Sequence, residues 1–397
     1  MHGLSLLKKW CERNAVFGHQ ARLVAVLRVL TSLLNGAKLS LTHLGRGRPG
    51  TAFVKHHIKA VDRLLGNPHL QRERHGIYAA LARTLLQSQQ RPLIIVDWAD
   101  CELDRQLLIL KAAIPLGGRA ITLYEEVHPM RRYNSPKTHR DFLRRLHQIV
   151  PDGIRPIVVT DAGFRGPWFR AVEALGWDWI GRIRNGIKYF KPETGRWCLT
   201  HSLYPQATPR VQHIGERCLS KRYRYWCRLY LVRAYRRGPG RPRKRKSYGS
   251  NDGLYRRLHR APWLLATSLP NARGAGKRIV RAYARRMQIE ETFRDLKNHR
   301  WRYALRYARS ARPERLHVLL LLALLASFVH WLLGLAAQAR GWTRHFQANT
   351  EVKRATLSIP FLGQQLWRTD RLTPSASNLL QALRALMHLV DTHGQMT

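Results

Sequence analysis

The sequence predicts an α/β core with helical segments before and after it. Between Arg91 and Arg184, strand-like apolar runs and amphipathic helices follow one another as strand, strand, strand, helix, strand, helix, strand, an α/β order. Two of the runs, "PLIIVDWAD" and "RPIVVTDAGF", change from apolar to acidic at Asp97 and Asp161. Strand ends in α/β sheets are where functional groups gather. A third acid, Glu290, lies downstream in "YARRMQIEETFRDLK", a segment with helical character.

The elements can be justified in chain order. Residues Ala21 to Leu34 carry a helical apolar pattern that stops at "NGAKLS", and "LTHL" predicts a second, short helix. A Gly/Pro/Arg loop, "GRGRPG", then leads into the basic amphipathic stretch Phe53 to Leu65. Helix, turn, helix, basic loop and basic helix suit a duplex-binding module, with Arg46, Arg48, Lys55, Lys59 and Arg63 as its cations. "RGRP" is a form that lies in A·T-rich minor grooves; a plain turn between helices explains it equally well. After the first strand, "LLILKAAIPLGG" and "RAITLYEEV" read as two strands joined at a Gly-Gly turn, followed by the helix "KTHRDFLRRLHQIV". The strand ending at Asp161, the helix "GPWFRAVEALG" and the strand "WDWIGRIR" complete the core. From about Asn185 to Pro262 the composition changes: basic and aromatic residues alternate as in a β-ribbon, and a basic tip follows that contains Arg241 and Arg243. The expected organisation is therefore a helical region at 1–88, an α/β region at 89–311 with a β-rich insertion at about 185–262, and a helical region at 312–397.

The Glu290 segment carries the most chemistry. At about 100° per residue, Tyr283, Arg286, Glu290 and Lys297 project within roughly 60° of one another on a helix. Phosphate-binding groups on the same stripe as a carboxylate make sense where a metal cation bridges acid and phosphate. Taken alone, the stripe also fits a solvated face with i,i+4 pairs such as Arg286 with Glu290. Glu291 is the rival acid, but it points about 100° away from Glu290. Three carboxylates would supply oxygen ligands for Mg²⁺ and leave positions for water and phosphate.

Composition narrows the partner. Lys and Arg total 70 against 24 acidic residues, a net charge of +46 spread along the chain, so a polyanion is expected. Twelve Trp and fourteen Tyr interleave with the cations, which suits stacking on bases. Five scattered cysteines without a C-x-x-C pair argue against a disulfide framework or structural zinc site and fit a reducing cytosol. The N-terminus lacks the long apolar core of a signal peptide. The uncharged run His317 to Gln338 is long enough to span a bilayer. With His317 and His330 inside it and a nucleic-acid character around it, it reads instead as a buried core or dimer-interface helix, with no membrane partner.

The pattern Y-x-x-R-x-x-x-E-x-x-x-x-x-x-K at Tyr283, Arg286, Glu290 and Lys297, together with "HHIKAVDRLLGN", "VDWAD", "GRAITLYEE", "TDAGF", "PWLLATSLP" and "HFQANT", resembles the bacterial cut-and-paste transposases of insertion-sequence family four, nearest the branch of the tetracycline-resistance transposon ten. The resemblance runs nearly end to end. It implies an RNase H-like catalytic domain with a β-rich insertion, preceded by a helical DNA-binding domain and followed by a helical C-terminal region. Its metal-binding acids would be Asp97, Asp161 and Glu290, holding two Mg²⁺ ions for which Mn²⁺ can substitute. It implies that Tyr283, Arg286 and Lys297 hold phosphates of the transposon end, that Trp263 stacks on a flipped base, and that Met287 is a weaker probe where some relatives carry Trp. The implied partners are double-stranded DNA, both the terminal inverted repeats and the target, and a second copy of the chain in a homodimeric synaptic complex. The expected location is the bacterial cytoplasm, at the nucleoid. The readings set against it are a metal-dependent nuclease of the same fold and a DNA-binding remnant without catalysis.

Overall fold

The computed structural model describes residues 2–101, 106–184, 186–233, 261–299, 303–351, 354–369 and 372–396. Five helices come first: α1 (His2–Arg13), α2 (Gln20–Leu34), α3 (Leu41–Arg46), α4 (Val54–Leu65) and α5 (Pro68–Leu86). Strands β1 (Leu93–Asp100), β2 (Leu107–Pro115) and β3 (Ala120–Pro129) lead to α6 (Pro136–Ile149), β4 (Ile157–Thr160), α7 (Gly166–Glu173) and β5 (Asp178–Ile183). Four further strands are β6 (Lys188–Lys191), β7 (Arg196–Leu199), β8 (Gln212–Leu219) and β9 (Tyr225–Val232), and β10 (Trp263–Thr267) follows. The remaining helices are α8 (Ala275–Ala284), α9 (Met287–Lys297), α10 (Pro313–Ala339), α11 (Thr343–Phe346), α12 (Ile359–Trp367) and α13 (Ala376–His393). Several starts are set by short polar caps. Ser40 accepts from His43 N, Asn67 from His69 N and Leu70 N, and Ser135 from Thr138 N, with a proline in the first turn of α5 and α6.

By packing, the chain forms two compact units, one of Met1–Ile154 with Met287–Gln395 and one of Arg155–Arg286. In the first, β1, β2 and β3 form an antiparallel meander. Asp97 lies opposite Lys111 and Lys111 opposite Glu125; one residue on, Trp98 lies opposite Leu110 and Leu110 opposite Glu126. Because side chains alternate along a strand, Asp97, Lys111 and Glu125 share one face, and Trp98 and Glu126 share the other. In the second unit, α7 connects the parallel pair β4 and β5, and the order continues antiparallel through β10, β9, β8, β6 and β7. The α/β order and the β-rich stretch after β5 thus match the expected element types, and Arg241 and Arg243 lie outside the described residues.

Helix α10 is the centre of the first unit. It is long and apolar enough to cross a membrane, yet 94% of its most apolar window is buried. It packs against α1, α2, α4, α5, α12, α13 and β3. Gly334 on α10 faces the Ile359 carbonyl of α12, and Gly363 on α12 faces the His330 carbonyl, so closely that a Cβ at either position would collide with backbone. Both histidines of the run have protein partners. His330 Nδ1 is 2.9 Å from the Tyr303 hydroxyl. His317 Nε2 accepts a 2.8 Å hydrogen bond from Val127 N and so satisfies a backbone donor of β3, the strand at the edge of the sheet.

Two expectations are corrected here. Asp97 is not the end of its strand: the fully buried part of β1 stops there, but pairing with β2 continues through Asp100. The single helix expected over "YARRMQIEETFRDLK" is two, α8 and α9. At the junction Arg286 N bonds to Tyr283 O, an i→i−3 link that tightens the last turn of α8. No glycine or proline marks the break. Tyr283 and Arg286 therefore belong to the second unit and Glu290 and Lys297 to the first, so the four do not share one helical stripe.

Burial, and then the positive charge of Arg74, hold the His317 pKa down to about 3. A folded-state value below the unfolded one of about 6.5 means that the unfolded chain binds the proton first. Stability from this contact is complete above pH 6.5 and is lost as pH falls toward 3. His317→Gln, which keeps an acceptor without titrating, is expected to flatten the dependence of Tm on pH across that window; an unchanged slope in circular-dichroism melts would contradict it.

Candidate active site

The Asp97 face of the first unit is built around a buried ion pair. Asp97 is 9% exposed, and its Oδ1 accepts a 2.8 Å bond from Trp98 N. Opposite it, Lys111 Nζ sits 3.0 Å from Glu125 Oε2, with only 3% and 2% of the two side chains exposed. Lys111 also lies 4.9 Å from the centre of the Phe293 ring. Phe293 belongs to α9, which covers this face by packing on β1, β2 and β3.

One side of α9 fastens it in place. Gln288 Oε1 accepts from Leu116 N at 2.9 Å, and Thr292 Oγ1 accepts from Ala120 N at 2.9 Å and donates to Ala120 O at 3.0 Å. Arg119, in the β2–β3 turn, bonds Asp295 at 2.8 Å and pairs with Glu291 at 3.5 Å. Gln288, Glu291, Thr292 and Asp295 follow helical spacing, so this anchoring face leaves a separate stripe of Glu290, Phe293 and Lys297. Glu291 is thereby tied into the structure, while Glu290 is exposed. Lys297 Nζ lies 3.9 Å from Asp100 Oδ2 at the end of β1. Its pKa is lowered, by burial first and then by Arg306 and Lys111, with Asp100 acting in the opposite direction. On the other side of β1, Trp98 Nε1 donates to His139 Nε2 at 3.1 Å, a bond that requires a neutral imidazole. Burial, and then His128, keep the His139 pKa near 4.

The second unit gathers a different group. Asp161 directly follows β4 and its Oδ1 accepts a 2.8 Å bond from Gly163 N, so it also shapes the turn. Trp263, the first residue of β10, meets the Tyr283 ring edge-on, with centroids 5.0 Å apart at 75°. Tyr283 is 4% exposed. Burial raises its pKa, while Arg286 and Arg182 lower it and Asp161 raises it again. Arg182 hydrogen-bonds Tyr283 and also donates to Ala261 O at 3.2 Å. Tyr283 thus orients Trp263 and Arg182 within the unit, with Arg286 at 6.0 Å from its ring. Met287, at the start of α9 in the first unit, is 51% exposed.

Among the N-terminal cations, Lys55, Lys59 and Arg63 are exposed along one side of α4, whose opposite side buries His57, Val61, Leu64 and Leu65. Arg46 ends α3 and is exposed, while Arg48 is partly buried with a pKa lowered by burial and then by Arg28 and Arg63. Sequence reasoning missed Lys111, Glu125 and Arg182. Their signal was present, as charged residues inside otherwise apolar strands ("LLILKAAIP", "ITLYEEV", "WIGRIR"), where a charge must have a partner.

Among the described residues of either unit, no three His, Cys, Asp or Glu side chains form a set able to hold a metal ion. Asp97 and Glu290 belong to the first unit and Asp161 to the second. The donor chemistry still suits a hard divalent cation, since all three are carboxylates. The cysteines offer no soft alternative: none joins such a set among the described residues, and burial pushes the Cys11 thiol to about 12.

In comparisons with known proteins, a family model described as transposase DDE domain matches residues 110–328, more than half of the chain. No curated protein matches it. The matched span contains Asp161 and Glu290, and Asp97 precedes it.

The difference between the anchoring Thr292 and the exposed Glu290 of α9 can be measured. Thr292→Val strands the Ala120 N–H and is expected to cost about 1–3 kcal/mol in denaturant unfolding, whereas Glu290→Gln stays within about 0.5 kcal/mol. Equal losses for the two would contradict this difference.

Proposed function

This chain belongs to the family of transposase DDE domains, and from that premise we propose that it is a cut-and-paste DNA transposase of the insertion-sequence family four type, within the transposon-ten branch. Transposases of this family act on DNA and generally use divalent metal ions. The observation that supports the finer reading is the packing of α9, with its stripe of exposed Glu290, buried Phe293 and half-buried Lys297, over the sheet face that bears Asp97. An exposed acid and a cation flank an apolar residue there, beside a strand carboxylate, an arrangement suited to a phosphodiester.

Asp97, Asp161 and Glu290 are the ligands in this reading, and bound Mg²⁺, as two ions or with Mn²⁺ in its place, would activate water and stabilise the leaving oxygen. Lys297 and Arg286 hold backbone phosphates, and their fixed charge adds affinity without specifying sequence. Trp263 stacks on a base turned out of the duplex near the cut, a contact worth about 1–3 kcal/mol. Its ring is already held edge-on by Tyr283, so little orientation has to be gained on binding. Water first cleaves one strand at the transposon end. The freed 3′-hydroxyl attacks the opposite strand to close a hairpin, which is hydrolysed before the end joins target DNA. The helical region at 1–88 binds the ends through α4 and the basic loop before it, and the 312–397 region contributes to a homodimer across two paired ends. The cytoplasm and its nucleoid are the site of action, with no membrane role.

Asp97→Ala, Asp161→Ala and Glu290→Ala are each expected to abolish cleavage and strand transfer of end-bearing DNA while duplex binding survives at low salt. Cut products without joined ones would identify a nuclease of the same fold, and activity unchanged by all three substitutions would leave only a DNA-binding remnant. Trp263→Ala is expected to slow hairpin closure and spare the first nick, as read on end-labelled DNA in a time course. Equal slowing of both steps would remove its proposed role.

A further inference from the structure

The opposite face of the first unit's sheet carries a second cationic feature, which the chemistry above does not use. A cavity of about 470 Å³ is lined by Arg74 of α5, Glu126 and His128 of β3, Arg131 and Arg132 just after β3, and Arg145 of α6. The first turn of α10 closes it with Glu314 and His317. Strand alternation turns Glu126 and His128 away from the face of Asp97, Lys111 and Glu125.

The charges in this cavity are unevenly committed. Glu126 accepts from Arg145 through both oxygens, from His128 at 2.8 Å and from Tyr124. Burial alone would raise its pKa, but the bonds from His128 and Arg145 bring it down to about 2, so it stays ionised and neutralised by Arg145. His75 and His317, both with lowered pKa values, add no charge at neutral pH. Three arginines remain against Glu314. Arg131 and Arg132 are exposed, and neither pairs with a carboxylate among the described residues. Arg74 is 6% exposed and donates through Nη1 to Glu125 O at 3.2 Å, a backbone acceptor that leaves its charge unneutralised. Three guanidinium groups on the wall of one cavity, two of them exposed and without a carboxylate partner, suit a compact anion with several oxygens.

We propose that this cavity binds a phosphate oxyanion, held by Arg74, Arg131 and Arg132, at a site separate from the three catalytic acids. The phosphate comes either from a DNA backbone or from free inorganic phosphate. The cavity and its arginines carry this inference, and the free-phosphate arm of the test uses neither DNA nor a metal ion. Its failure would therefore leave the transposase reading untouched.

The test uses the full chain in chloride buffer, with inorganic phosphate as the probe in titration calorimetry. The double variant Arg131→Gln/Arg132→Gln is compared with Arg140→Gln/Arg144→Gln, which removes the same charge from the exposed side of α6 outside the cavity. Loss of two charge-assisted contacts is expected to weaken phosphate binding at least about tenfold in the first variant, with the second within about twofold of wild type. The slope of log K against log salt for a plain duplex then separates the sources. A drop of about 1.8 in the cavity variant alone identifies backbone phosphates, and an unchanged slope with phosphate binding lost identifies free phosphate. Unchanged phosphate affinity, or equal weakening in both variants, overturns the proposal. Should the double variant melt early, the single variants Arg131→Gln and Arg132→Gln, each with an expected loss of several-fold, decide the same question.

Discussion

The first unit depends on one constraint, which is that α10 must be covered on every side. A helix apolar all round cannot be satisfied by a single sheet, so the chain surrounds it with helices from both ends of the sequence and with the edge of β3. Residues as distant as Gly3, near Val329, and Gly363, near His330, are drawn to the same core. Covering β3 also creates an obligation, because an edge strand has backbone donors with no strand to receive them. His317 meets it from within α10. The polar residues inside an apolar run therefore mark where this helix is held by its surroundings.

Acidic residues are few, and many of them are spent on fastening. Glu73 holds Arg22, Asp62 holds Arg315, Glu125 holds Lys111, Glu126 holds Arg145, and Asp295 with Glu291 holds Arg119. What remains on the surface is strongly positive, including Lys55, Lys59 and Arg63 along α4. A surface of this kind draws DNA from any direction and binds it through phosphates. On α9, Glu290 stays at the surface beside the anchored Glu291.

The elements around the candidate site were legible because each is a local pattern. The apolar run ahead of Asp97, the short helix α3 and the amphipathic helix α6 are all encoded within a few residues, whereas α5 was not read from the sequence. The break between α8 and α9 was not legible, since Tyr283 to Lys297 keeps a helical period straight through it and contains neither Gly nor Pro. The turn at Arg286 reflects long-range attachment: α9 is clasped to the β2–β3 turn by Gln288, Thr292 and Asp295. Tyr283 stands among the phosphate-binding groups of one helix face when read by spacing, and in the fold it is a buried partner of Trp263 and Arg182.

By itself, the sequence determined the element types, the polyanion preference set by its charge, and the identity of the three candidate acids, because periodicity, composition and motif are properties of neighbours along the chain. Tertiary structure decided which charges are free. The Lys111–Glu125 pair, the Glu126–Arg145 pair and the uncommitted Arg131 and Arg132 all read alike as cations and acids in the sequence. Only packing across more distant positions determines which of them are matched in a low-dielectric interior and which are left for a ligand.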